Sequence, residues 1–120
     1  MTMRLTAGVV SVGDLEDLDS YAVSLAEHPD GTGWALIISR AYEFTDEDIA
    51  QGMGTYAIST HEGRTHYGGI KGWQRNGVEF EVDVDEATVE DLGLEERFSL
   101  IVADDSTADT VEAGLQRVLA

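Results

Sequence analysis

The chain contains no cysteine, one proline and only seven lysines and arginines among its 120 residues. Without a thiol there is no disulfide framework, no thiolate zinc site and no cysteine nucleophile. The single proline, Pro29, sits in the turn-like "HPDGTG", so no proline-rich linker divides the chain. Nowhere is there a run of about 18 apolar residues, the length a membrane helix needs. The N-terminal "MTMRLTAGVV" lacks the apolar run of a secretory signal, and the expectation is a cytoplasmic protein. The scarcity of cations has the widest consequence. Against seven basic residues stand 24 aspartates and glutamates, a formal charge of −17. Such a field repels nucleic-acid phosphates and anionic lipid headgroups, so neither nucleic acid nor membrane is an expected partner. The charge either serves solubility alone or attracts a basic protein and speeds the encounter with it.

What is present is ordinary globular material, with 42% hydrophobic and 26% charged residues. Its length predicts one domain over residues 1–120, able to bury roughly two-thirds of its extended surface. Residues 3–12 and 20–28 are strand-like and flank the acidic turn "GDLEDLDS". "WALIISRAY", Trp34 to Tyr42, is the strongest apolar run and reads as a central strand buried on both faces. In "EFTDEDIAQGMG", Thr45 is placed to cap a short helix, with Asp46, Glu47 and Asp48 at the positive end of its dipole. Gly52 or Gly54 would end that helix in a left-handed conformation. "TYAIST" reads as a strand and "HEGRTHYGG" as a turn leading into the next one.

The clearest local signal is "KGWQRNGVEFEVDV". Asn76-Gly77 suits a two-residue hairpin turn, and Val78, Phe80, Val82 and Val84 alternate with Glu79, Glu81 and Asp83. That register sets Trp73 opposite Phe80 on the core side and leaves Ile70 facing away unless Gly72 sits in a bulge. "DEATVEDLG" reads as a short helix closed by Gly93, and "RFSLIVAD" as a strand. "STADTVEAGLQRVLA" is an amphipathic helix capped by Ser106, burying Ala108, Val111, Leu115, Val118 and Leu119. The fold class is α+β: an antiparallel sheet packed against a C-terminal helix, with one or two short additional helices.

Catalytic patterns are sparse. His61 and His66 flank a turn beside Glu62, but their spacing in a loop matches no established ligand pattern, and His28 is isolated. Ser39, Ser59 and Ser106 lack a nucleophile-elbow context, and the glycines form neither a phosphate loop nor a dinucleotide fingerprint. With 24 acidic residues, paired carboxylates arise by chance and carry no catalytic information. No enzyme, cofactor or metal site is expected. The acidic stretch "YEFTDEDIAQG" reads either as a locally stabilised helix turn or as an interface edge, with Tyr42 and Phe44 available as aromatic anchors. The glycines and tyrosines of "GMGTYAI" and "HYGGI" read first as backbone geometry, with Tyr56 and Tyr67 covering the sheet while their hydroxyls reach water or a backbone partner.

These two segments also carry a resemblance. "AYEFTDEDIAQGMGTYAI" followed closely by "YGGI" resembles the Immunity protein 10 family of bacterial polymorphic toxin systems. The matching positions are Asp48, Gly52, Met53, Thr55 and Tyr56 in the first element and Tyr67, Gly68, Gly69 and Ile70 in the second. Gly54 departs from the pattern, where a polar or acidic residue is more usual. The resemblance implies a non-catalytic α+β antitoxin that binds and neutralises a cognate toxin domain in the cytoplasm. A basic toxin surface would suit the acidity, and a homodimer is compatible with the sequence. The candidate toxin-binding residues are Tyr42, Glu43, Asp46, Glu47 and Asp48, followed by Glu79, Glu81 and Asp83. Two alternatives stand beside this reading: a small-ligand or metal-binding domain around Tyr56, His61, His66 and Tyr67, and a structural accessory domain in an acidic proteome.

Overall fold

The computed structural model describes residues 3–15, 20–30, 32–52 and 54–119. The N-terminal strand-like stretch divides into β1 (Met3–Thr6) and β2 (Val9–Leu15), followed by β3 (Ser20–Ala26) and β4 (Ala35–Ala41). Then come α1 (Asp46–Ala50), β5 (Ala57–Thr60), β6 (Thr65–Tyr67), β7 (Ile70–Asn76) and β8 (Glu79–Val84). The chain ends with α2 (Glu86–Leu92), β9 (Arg97–Ile101) and α3 (Asp105–Val118). The architecture is α+β, as expected, but the strands form two sheets rather than one. A four-stranded sheet runs β1-β9-β8-β7 and a five-stranded sheet runs β2-β3-β4-β5-β6.

The division follows from the break at Ala7 and Gly8. There the chain leaves β9, which β1 pairs in parallel, and joins β3, with Ala7 N–H donating to Ile101 and Gly8 N–H to Ala26. Every other strand pair is antiparallel. One continuous core takes Val23, Leu25, Leu36, Ile38 and Ile58 from the larger sheet, Phe80, Val82, Val84, Phe98 and Leu100 from the smaller, and Ala108, Val111, Leu115 and Val118 from α3. The α3 spacing puts those four residues on one helix face. Gly114 on that face lets the helix approach so closely that a Cβ there would press on Val12 and Val23.

Several local expectations are corrected. β4 is the central strand of its sheet, but only Leu36 and Ile38 are buried, and Ile37 on the other face is 38% exposed. The reason is that α3 covers the inner face of the sheet alone. The hairpin turns at Gly77-Val78 rather than Asn76-Gly77, because Asn76 still pairs with Glu79. Trp73 therefore lies opposite Val82 and reaches Phe80 diagonally, with ring centroids 6.1 Å apart. A bulge between Ile70 and Gly72 does bring Ile70 beside Val84. The cap of α3 is Asp104, whose carboxylate accepts from Thr107 N–H at 2.8 Å, not Ser106, which lies inside the first turn. Leu119 caps the other end and is half-buried. The polar "HEGRTHYGG" contains a strand of its own, β6; of the expected acidic turn "GDLEDLDS", Gly13 to Leu15 belong to β2 and Ser20 to β3, and the rest lies outside the described residues.

Candidate functional site

The segment between β4 and β5 is built from its own side chains. Thr45 caps α1 by accepting Asp48 N–H at 3.1 Å, while the Asp48 carboxylate accepts Thr45 N–H at 3.0 Å. This reciprocal box fixes a helix of one and a half turns that could not persist by propensity alone. Gly52, with φ of 78°, ends it in the left-handed region as expected. α1 buries no residue, and Ile49 is 61% exposed. Glu43, Asp46 and Glu47 are exposed and Asp48 is half-buried. Among the described residues no cation forms an ion pair with any of the four.

The two glycine- and tyrosine-bearing segments clasp each other through Tyr56. Its carbonyl accepts Gly68 N–H at 2.9 Å, and its hydroxyl accepts Ile70 N–H at 2.8 Å. Burial pushes the Tyr56 hydroxyl above its ordinary value of 10.0, with Asp85 adding to the effect, so it stays protonated at neutral pH. Gly69 carries a φ of 96°, and a Cβ there would overlap Thr88 Oγ1. Thr88 cannot yield, because it is fully buried and its hydroxyl donates to Asp85 at 2.6 Å. Asp85 N–H in turn donates to the Gly69 carbonyl at 2.9 Å, tying the clasp to the start of α2. The hydrogen bond from the Thr88 hydroxyl, then that from its amide, holds the Asp85 carboxyl below 3.8. The backbone reading of these glycines and of the Tyr56 hydroxyl thus has a specific content. Met53 lies outside the described residues.

Ser39, Ala57 and Tyr67 are successive partners across β4, β5 and β6, so they share one face of the sheet. That face points away from Ile38 and Ile58, hence away from the core. Here α1 and the sheet enclose a cleft of about 200 Å³. Its floor is Ser20, Ser39, Ala41 and Ala57, and its sides are Phe44, Asp48, Thr55 and Tyr67. Tyr67 is 43% exposed, and the Arg40 guanidinium stands 5.9 Å from the centre of the Phe44 ring.

A profile described as Immunity protein 10 matches residues 6–111. The chain belongs to the Immunity protein 10 family. No curated protein and no solved structure matches it at a significant level. Within this Immunity protein 10 chain, Asp48, Thr55 and Tyr67 line the cleft, whereas Tyr56, Gly68, Gly69 and Ile70 form the clasp beneath it.

The other candidate residues lie elsewhere. Tyr42 turns from the cleft toward α3, with the Arg117 guanidinium 5.8 Å from its ring and 4.2 Å from that of Tyr21. Glu79, Glu81 and Asp83 alternate with the buried Phe80, Val82 and Val84, so they sit on the outer face of the smaller sheet. Arg4 donates to Glu79 at 3.1 Å, Gln74 to Glu81 at 2.7 Å, and Arg97 to Asp83 at 2.6 Å. The Arg97 hydrogen bond holds the Asp83 carboxyl below 3.8.

The histidines do not converge either. His61 Nδ1 accepts Ala35 N–H at 3.2 Å, and His66 Nδ1 meets Asp91 of α2 at 2.6 Å. Because β6 alternates, His66 faces inward where Tyr67 faces outward. Among the described residues, no group of three or more His, Asp or Glu is placed to hold a metal ion.

The floor of the cleft is the part that sequence reasoning missed. Its local trace is the pair of small residues Ser39 and Ala41 at alternate positions at the end of β4, with Ala57 opening β5.

Proposed function

We propose that the protein is a cytoplasmic immunity protein that neutralises a cognate toxin domain of a polymorphic toxin system by binding it, without chemistry of its own. The match to Immunity protein 10 over residues 6–111 carries this reading. The toxin-facing surface is the acidic α1 segment, with Glu43, Asp46, Glu47 and Asp48, together with the adjoining cleft. Two features support that choice. These acids have no cationic partner among the described residues, so their field reaches outward. Ile37 and Tyr67, both exposed, lie on the same outer face of the sheet, and Ile49 of α1 is 61% exposed, giving an interface apolar surface to bury. A net charge of −17 favours a basic partner and a fast, salt-sensitive encounter.

The test is co-expression with the toxin domain encoded by the neighbouring reading frame. Cells producing that toxin should survive when this chain is also made and die when it is not. Equal killing in both cases would eliminate the proposal.

A further inference from the structure

We infer that the cleft between α1 and the outer face of the five-stranded sheet receives an arginine side chain of the toxin, a step that rests on the immunity-protein reading above. Size narrows the occupant first. A volume of about 200 Å³ lies below the roughly 300 to 1,000 Å³ of sites that enclose metabolite-sized ligands, and it matches one inserted side chain.

The lining then selects the chemistry. Ala41 and Ala57 make a low, flat floor that a planar group can approach. Tyr67, 43% exposed, offers an aromatic ring at the rim, and a guanidinium stacks on such a ring as well as carrying charge. Phe44, which lines the cleft, already carries one such pair, with the Arg40 guanidinium 5.9 Å from its ring centre.

At the α1 side stands Asp48. Its Oδ2 takes the Thr45 N–H, and the carboxylate has no cationic partner among the described residues. The Ser39 and Thr55 hydroxyls add acceptors for further N–H groups. The charge balance agrees: Asp48 lines the cleft, and Glu43, Asp46 and Glu47 belong to the same exposed acidic segment, with Arg40 near Phe44 as the neighbouring cation. An ammonium, compact and strongly hydrated, would use the carboxylate but not the flat slot.

Two measurements decide the matter. In the first, amide resonances of the folded chain are followed during titration with N-acetyl-arginine-amide, its uncharged isostere N-acetyl-citrulline-amide, and N-acetyl-norleucine-amide. The arginine compound should shift Ser39, Ala57 and Tyr67 at millimolar concentration, and the other two should not. In the second, purified toxin domain is titrated against variants. Tyr67→Leu should weaken binding roughly tenfold, Tyr67→Phe should restore it, and Ala57→Leu, which fills the floor, should weaken it at least as much as Tyr67→Leu. The phenylalanine rescue separates loss of the ring from loss of folding. If wild-type protein binds the toxin and both leucine variants bind equally well, the arginine cleft is wrong while the immunity reading stands. Equal shifts with citrulline or norleucine would overturn it in favour of a neutral or apolar occupant. If the toxin does not bind wild-type protein, the immunity reading fails, and the amide titration alone then supports or overturns a guanidinium site.

Discussion

On β8, Glu79 and Asp83 each face an arginine, at 3.1 and 2.6 Å, and Glu81 takes a hydrogen bond from Gln74. Around α1, Asp48 is bonded to its own helix cap, Glu47 to Gln51 one turn on, and no cation is paired with Glu43, Asp46 or either of those two among the described residues. Both stretches are strongly acidic as sequence, with four acids over 43–48 and three over 79–84. The difference lies in their neighbours across the fold. Antiparallel pairing of β8 and β9 sets Arg97 directly opposite Asp83, and β1 brings Arg4 alongside Glu79. Those carboxylates spend their field on the sheet that holds them. The α1 carboxylates project from a short helix that buries nothing, so their field is left for another molecule. On the proposed reading, acidic residues mark the partner surface where the fold supplies no counter-charge.

The comparison can be broken most forcefully at the clasp through which Tyr56 ties the entry of β5 to the start of β7. Gly69→Ala combines a strained left-handed φ with a Cβ driven onto the immovable Thr88. It should destabilise the protein by about 2 to 4 kcal/mol, lowering Tm by on the order of 10 °C in a thermal melt. A variant as stable as wild type would mean the clasp is not built as described. Next in size is a rate. Asp46→Asn, Glu47→Gln and Asp48→Asn together should slow association with the toxin roughly 10- to 100-fold at low ionic strength, as measured by stopped flow. The matching triple on β8, Glu79→Gln, Glu81→Gln and Asp83→Asn, should change that rate less than about threefold, because its charges are already largely answered. Equal slowing by both triples would erase the distinction between the two regions.

The features legible in the sequence are those fixed by neighbours along the chain. Thr45 before Asp46-Glu47-Asp48 specifies the α1 cap, alternation through Phe80, Val82 and Val84 specifies β8, and the spacing of Ala108, Val111, Leu115 and Val118 specifies the α3 face. What escaped was set by partners far apart. Nothing near Met3 announces that β1 pairs in parallel with β9 rather than continuing into β2. The hairpin turn could sit at Asn76-Gly77 or Gly77-Val78 while keeping Trp73 and Phe80 on the same face, and pattern alone does not choose between them. The Immunity protein 10 positions were visible as a signature. Their division into a clasp, where Tyr56 reaches Ile70, and a cleft lining, to which Asp48 and Tyr67 both belong, required the fold. The cleft floor combines Ser20 of β3, Ser39 and Ala41 of β4 and Ala57 of β5; the β4 pair is local, but only the fold sets it beside the others.

The smallest predicted effect sharpens the β8 side of the comparison through pH. The hydrogen bond from Arg97, reinforced by its charge, holds the Asp83 carboxyl below the ordinary 3.8 in the folded protein. A depressed folded value means that the pair's contribution is fully present above that ordinary value and is lost as pH falls through the folded one. Asp83→Asn removes the contribution at every pH. Wild type should therefore exceed the variant in stability by a constant, small margin from neutral pH down to about 4, and the margin should close below it. Added salt at neutral pH should narrow it too, since both partners reach solvent, with side chains 39% and 60% exposed. Denaturant titrations of the two proteins at several pH values measure the margin directly. If it persists undiminished well below pH 4, the carboxylate is not held by Arg97 in solution, and the β8 acids would then be as available to a partner as those of α1.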